Sequence, residues 1–257
     1  MTSILFPAFL VSLVLLGIHS YFGIRIIRRG IIFTDLAIGQ MAALGAAVSL
    51  FFFHGEFLYP LSLGSALFGA LLVWTASRRA AHLEAVIGLI YALGIAGVFM
   101  LLSKSPHGME EFQNLMAYDI LFTGMDEVLT TAVLYGILGM VIFVIEKKGP
   151  EKIREMMFFV TFAVTVTSSV RLAGVLIVFA ILLSPAYSAL VLGEKRLVGG
   201  RAAAHPLFLA WGIGIALNLG SIAVSYRMDL PTGYTLVFFH ALAAIIVAFI
   251  PGRAKTR

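Results

Sequence analysis

The sequence predicts an all-α polytopic membrane protein, and three observations carry that prediction. The 257 residues are 61% hydrophobic and 12% charged, with a mean hydropathy of +1.03, whereas a soluble domain is about half apolar and about a quarter charged. Windows of about 20 apolar residues, the length that crosses a hydrocarbon core, fill most of the chain. The basic residues that interrupt them fall in short clusters, the pattern of loops retained on the cytoplasmic side. The period-two alternation of an outer-membrane barrel is absent.

The elements follow in order. Apolar spans are predicted at Ser3–Ile24, Ile31–Phe53, Leu58–Ser77, Ala85–Ser103 and Leu129–Glu146. Met157–Val170, Ala173–Leu183, Pro206–Tyr226 and Tyr234–Ile250 complete a set of eight or nine transmembrane helices in one permease-like domain over residues 1–257. Arg25, Arg28 and Arg29 follow the first span, and Arg78 and Arg79 follow the third. Lys147, Lys148, Lys152 and Arg154 follow the fifth, and Arg253, Lys255 and Arg257 close the chain. Placing each cluster inside puts the N-terminus outside and the C-terminus inside.

Met156–Leu192 tests this scheme, because basic loops flank it on both sides, Lys147–Arg154 before and Lys195–Arg201 after. As one helix it would reach roughly 55 Å, well beyond a core of about 30 Å. Two short passes turning near Ser168–Arg171 keep both loops inside. The loop from Lys104 to Val128 differs in character: it carries Glu110, Glu111, Asp119 and Asp126, and its segment Asn114–Phe122 mixes apolar and acidic residues as an interfacial stretch does.

Composition also excludes several functions. A net charge of +5 and a pI near 9.6 suit nucleic acid, but these charges sit in inter-span loops. No cysteine is present, which removes disulfides and thiolate metal sites. The first span has no basic stretch before it and no clear small-residue cleavage site, so a retained helix is expected rather than a signal peptide. No Gly-rich phosphate loop of the Walker type occurs; if ATP drives this protein, another chain hydrolyses it. No enzyme activity and no resident cofactor are expected.

Chemistry is sought among polar groups inside the spans. Asp35 stands out, because an acid at the centre of a membrane helix costs about 2.5–3.5 kcal/mol and usually marks a substrate or ion path. A dull reading is interfacial water, or a pair with Arg28 or Arg29. Gln40 lies five residues on, about 140° around the helix, and serves equally as an interhelical hydrogen-bonding residue or a substrate contact. His19 and Asp35 lie at similar distances either side of the Arg25–Arg29 loop, which gives them comparable depth in a hairpin. An imidazole with a carboxylate suits zinc or manganese, although a lone membrane histidine is more often a packing residue. His240 is a weaker candidate on the same grounds, and His54, His82, His107 and His205 fall in loops. Gly39, Ala42, Ala43, Gly45, Ala46 and Ala47 make a small-residue face, which packing explains first.

Three blocks together resemble the zinc/manganese-type permease family of bacterial ABC importers. Arg28-Arg29 followed six residues later by Asp35 is similar to that family's Arg-Arg pair and Asp-Ala-Leu-Ser-His motif. The stretch from Val170 through Ser184-Pro185-Ala186 to Ala189 resembles its Lys-Leu-Val-Gly-Val-Leu-Leu-Val block ending in Pro-Ala-x-x-Ala. Ser225-Tyr226-Arg227-Met228-Asp229-Leu230-Pro231-Thr232-Gly233 is close to its Ser-Tyr-x-x-Asp-Leu-Pro-x-Gly. The resemblance implies a homodimeric permease of the type II importer architecture, with a separate ATP-binding subunit on the cytoplasmic face and an extracytoplasmic substrate-binding protein. It implies a divalent metal ion (zinc, manganese or iron) as cargo, Asp35 as a metal contact, and a coupling helix within Pro185–Arg201. Pro185, Ala186, Ala189, Glu194, Lys195 and Arg196 then belong to ATPase coupling.

One departure bears on the cargo. The family's histidine, four residues after the aspartate, corresponds to Gly39; counting back from Gly45 instead aligns it with Gln40. Other readings stay open: the same machine carrying a non-metal substrate, a stand-alone secondary transporter using Asp35 and His19 as an ion relay, and an intramembrane enzyme, for which no His-Glu-x-x-His pair is present.

Overall fold

Residues 2–105, 110, 120–195 and 205–251 are described by a computed structural model. Among them nine helices are long and apolar enough to cross a membrane. These are α1 (Thr2–Arg29), α2 (Thr34–Phe53), α3 (Leu58–Arg79), α4 (Leu83–Leu102), α5 (Met125–Lys148), α6 (Glu151–Ala173), α7 (Val175–Glu194), α8 (Pro206–Met228) and α9 (Thr232–Phe249). A single 3₁₀ turn, Ile120–Phe122, precedes α5, and no strand occurs among the described residues. Large apolar side chains such as Leu89, Met100, Met140 and Phe249 stand exposed, as expected of a chain solvated by hydrocarbon.

Two predicted boundaries are corrected. The turn expected near Ser168–Arg171 is helical, because Ser168 and Ser169 donate to the Val164 and Thr165 carbonyls at 2.8 and 2.7 Å. Hydroxyls satisfied one turn back do not break a helix. The break falls at Gly174, whose φ of 78° and ψ of 160° lie in a region open essentially to glycine alone. The pass expected to stop at Leu183 runs on through Pro185 to Glu194; of the Pro185–Arg201 range expected to include the coupling helix, residues 196–201 lie outside the described residues. Proline removes one backbone donor, and the apolar run on both sides carries the helix past it.

The chain divides into two compact units. The first comprises Met1–Arg29, Asp119–Ala132 and Leu176–Arg257. In it α1 and α8 run antiparallel: Trp211 Nε1 donates to the Gly17 carbonyl at 3.0 Å, and Asn218 Nδ2 to the Ser12 carbonyl at 3.3 Å. α7 lies so close to α1 that a Cβ at Gly23 would overlap the Leu182 carbonyl. Ile24, Ala186, Ala189 and Ala210 form a buried cluster where α1 and α7 end and α8 begins.

The second unit comprises Gly30–Tyr118 and Val133–Val175. Its centre is α2, with Ala42, Ala43, Gly45, Ala46 and Ala47 buried. The Leu61 backbone seats against Gly45, Met41 against Gly69, and the Gln40 backbone against Gly94, so small residues let α3 and α4 approach closely. α3 and α6 run antiparallel, joined by Arg78–Glu155 at 3.8 Å at one end and by Arg171 over the Tyr59 ring at the other.

Within each unit most basic clusters share one end. In the first, Ile24 near the end of α1, Ala189 and Ala210 are neighbours, and Lys195 bonds the end of α9. In the second, Ile32 N–H donates to Glu84 Oε1 at 2.7 Å, which together with Arg78–Glu155 gathers the starts of α2, α4 and α6 with the end of α3. Lys104, Arg171 and Arg227 are exceptions at the opposite ends.

Candidate functional site: a buried carboxylate and the polar joints of the helices

Asp35 occupies the first turn of α2 and is 4% exposed. The chain reaches it through a tight turn in which Thr34 Oγ1 and N–H both donate to the Ile31 carbonyl, at 2.7 and 3.2 Å. Glu84, from the first turn of α4, holds the Ile32 amide of the same turn. No side chain caps α2, so its free amides and the positive end of its dipole favour an anion there. Asp35 Oδ1 has no hydrogen-bond partner. A buried acceptor left in that condition is costly.

The surroundings of Asp35 on α2 are informative. Gly39, one turn on, is on the same helix face and is buried. A Cβ there would meet only Val166 Cγ1, at 3.9 Å, which is ordinary van der Waals contact. Packing therefore does not require Gly39 to lack a side chain, unlike Gly45. Gln40 points its backbone at α4 and is half-buried. His19 is in the first unit, fully buried, with Nδ1 donating to the Leu15 carbonyl at 2.7 Å. Among the described residues no three His, Asp or Glu side chains gather as a metal cage.

The residues assigned to coupling separate into two groups. Pro185, Ala186 and Ala189 are buried in α7, where Ala186 and Ala189 pack in the cluster with Ile24 and Ala210. Glu194 is exposed at the end of α7 and Lys195 is half-buried just after it. Arg196 lies outside the described residues, as do the rest of the Lys195–Arg201 loop, Glu111, Asp119, His107 and the basic tail at Arg253, Lys255 and Arg257.

Sequence reasoning missed a polar network in the first unit. His240 Nε2 lies 2.9 Å from Asn218 Oδ1, and Asn218 Nδ2 donates to the Ser12 carbonyl. That bond fixes the amide, so the imidazole donates through Nε2. Ser184 Oγ donates to the His240 carbonyl at 2.6 Å. His240, Asn218 and Ser12 are all fully buried. The available signal was symmetry: Asn218 and His240 each stand eleven residues from Asp229. Beside the network, an apolar cleft of about 1080 Å³ opens between the start of α1, Leu121–Met125 and the end of α8; its lining carries no Asp, Glu or His.

Residues 150–251 match the ABC 3 transport family. That segment runs from α6 to α9 and holds two of the three blocks that carried the resemblance; the Asp35 block lies outside it. The fold is that of ABC-transporter permeases. PsaBC from Streptococcus pneumoniae, solved in complex with a Fab, superposes with a TM-score of 0.73 at 17% identity, covering 95% of this chain and 91% of that one. A transporter described as of metal-chelate type, in an inward-facing conformation, superposes at 0.66 with 14% identity, covering 97% and 88%. No curated protein matches the sequence. With nine helices long and apolar enough to cross a membrane among the described residues, the chain is a multi-pass membrane protein.

Proposed function

We propose that the chain is the membrane-spanning permease subunit of an ABC importer, moving a divalent metal ion across the cytoplasmic membrane as a homodimer embedded in lipid. The family match over α6–α9 carries this reading; the fold-wide likeness to ABC-transporter permeases supports it. ATP is hydrolysed on a separate cytoplasmic subunit, and a binding protein delivers the ion outside. ATP binding and hydrolysis bias the dimer between outward- and inward-open states through their different affinities for those states. Asp35 offers negative charge to the cation, one carboxylate from each protomer. His19 and Gln40 are secondary candidates for the same path.

A second reading concerns the form of the cargo. The room beside Gly39 and the unpartnered Asp35 Oδ1 suit an ion that brings part of its own oxygen shell, as water or as a chelator. The family histidine is replaced there, and a hard oxygen-ligated cation fits a lone carboxylate better than a stripped zinc ion, which takes nitrogen or sulfur donors readily.

The test is reconstitution with the cognate ATPase in liposomes, measuring metal-stimulated ATP hydrolysis and uptake for the parent, Asp35→Ala and Asp35→Asn. Stimulation by zinc, manganese or iron that falls at least about tenfold in both variants, a loss of about 1.4 kcal/mol in transition-state terms, is expected. Asp35→Asn keeps the shape and removes the charge. No response of the parent to any of the three ions, with Asp35→Ala behaving as the parent, sinks the metal reading.

A further inference from the structure

Lys195 carries the three donors of an ammonium group, and all three find acceptors on one helix end. Its Nζ lies 2.8 Å from the Ala248 carbonyl, 2.6 Å from that of Ile250 and 3.3 Å from that of Val247. A helix leaves its last four carbonyls without intrahelical partners, and they form the negative end of its dipole. The C-terminus of α9 is thus closed by a cation placed immediately after α7.

A second joint links the same two helices, because Ser184 Oγ donates to the His240 carbonyl. From Ser184 to Lys195 is eleven residues, and from His240 to Ile250 ten, which is about 16 Å and about 15 Å of helix. Two joints equally spaced on both helices hold α7 and α9 side by side and parallel. The His240 side chain continues the linkage to Asn218 of α8, and Asn218 to the Ser12 carbonyl of α1.

We propose that Lys195 is a positioning residue that makes the ends of α7 and α9 move as one body, so that a displacement imposed at the end of α7 reaches α9 and, through His240, α8. The proposal rests on the permease reading, in which that end faces the ATPase. It differs from direct docking: the ammonium that a docking role would offer to the ATPase is already spent on α9.

The chain has no cysteine, so a thiol at this position is the only one in the chain, and it is modified before the ATPase is added. Lys195→Cys is compared before modification, after aminoethylation, which restores a cation of lysine-like reach, and after capping with a neutral methylthio group. Each form, with the bound ATPase and manganese(II) as probe, is read for ATPase retention, ATP hydrolysis and ions moved per ATP. The expected result is retained ATPase, hydrolysis within about twofold of the parent, and ions per ATP down about tenfold, an ordinary coupling free energy. Aminoethylation restores the ratio and the neutral cap does not. Lys195→Arg, which keeps a multi-donor cation, should retain most of the ratio and guards against a variant that does not fold. Loss of the ATPase from Lys195→Cys makes Lys195 a docking residue and overturns the proposal. An unchanged ratio, or equal rescue by the neutral cap, overturns it as well. A parent that binds no ATPase fails the permease reading and this proposal together, whereas a coupled parent with an equally coupled variant fails the proposal alone.

Discussion

Two glycines in α2 obey different constraints. A Cβ at Gly45 would overlap the Leu61 carbonyl, so Gly45→Ala forces α2 and α3 apart and should cost about 1–3 kcal/mol. A Cβ at Gly39 finds only ordinary contact, and Gly39→Ala should be neutral or stabilise by up to about 1 kcal/mol through helix propensity. Thermal melting of the two purified variants, followed by monodispersity, checks the pair; equal melting points would refute the distinction. The sequence showed both residues as parts of one small-residue face. It could not separate them, because which neighbour each glycine meets is decided by α3 and α6, more than a dozen residues away. Asp35 was legible, since an acid inside an apolar span announces itself. Its unpartnered oxygen was not.

At the scale of the element, α6 and α7 show where local chemistry misleads. Ser168 and Ser169 read as a turn, yet both hydroxyls return to their own helix. The stop is made by Gly174, whose backbone conformation is closed to other residues. Gly174→Ala should therefore destabilise by about 1–3 kcal/mol, and Ser169→Ala by about 1 kcal/mol at most, for its back-bond and its hydrogen bond with Tyr135. A chemical-denaturation series in mild detergent would rank them, and a Ser169 effect equal to that of Gly174 would contradict this account. Helix existence was legible throughout, from hydropathy alone. The length of α7 was not, because proline counts as a breaker in isolation, while here the apolar run continues beyond it.

For the whole molecule, most of the described basic clusters within each unit share one end, and the expected orientation, N-terminus outside and C-terminus inside, puts that end in the cytoplasm. The absence of native cysteine allows a direct check with single cysteines at exposed ends. Glu56→Cys and Met228→Cys should react with a membrane-impermeant maleimide in intact cells; His82→Cys and His205→Cys should react only after permeabilisation. The reverse pattern would invert the topology and move the Lys195 joint to the outer face. Span number was legible because lipid imposes it on each segment separately. The division into two units, from segments that alternate along the chain, was not, since it depends on pairings between distant helices.

The equal distances of Asn218 and His240 from Asp229 bear on how the protein is made. Ser225 Oγ bonds the Leu230 carbonyl and meets Thr232 Oγ1 at 2.7 Å, so α8 and α9 are joined by a short, internally braced connection. A ribosome delivers α8 first, and alone it would present an asparagine amide to hydrocarbon; α9 alone would present an imidazole. Entering the bilayer as a pair, each meets the other at the same depth, and the hydrogen bond that later steadies the mature bundle already lowers the barrier to its biogenesis.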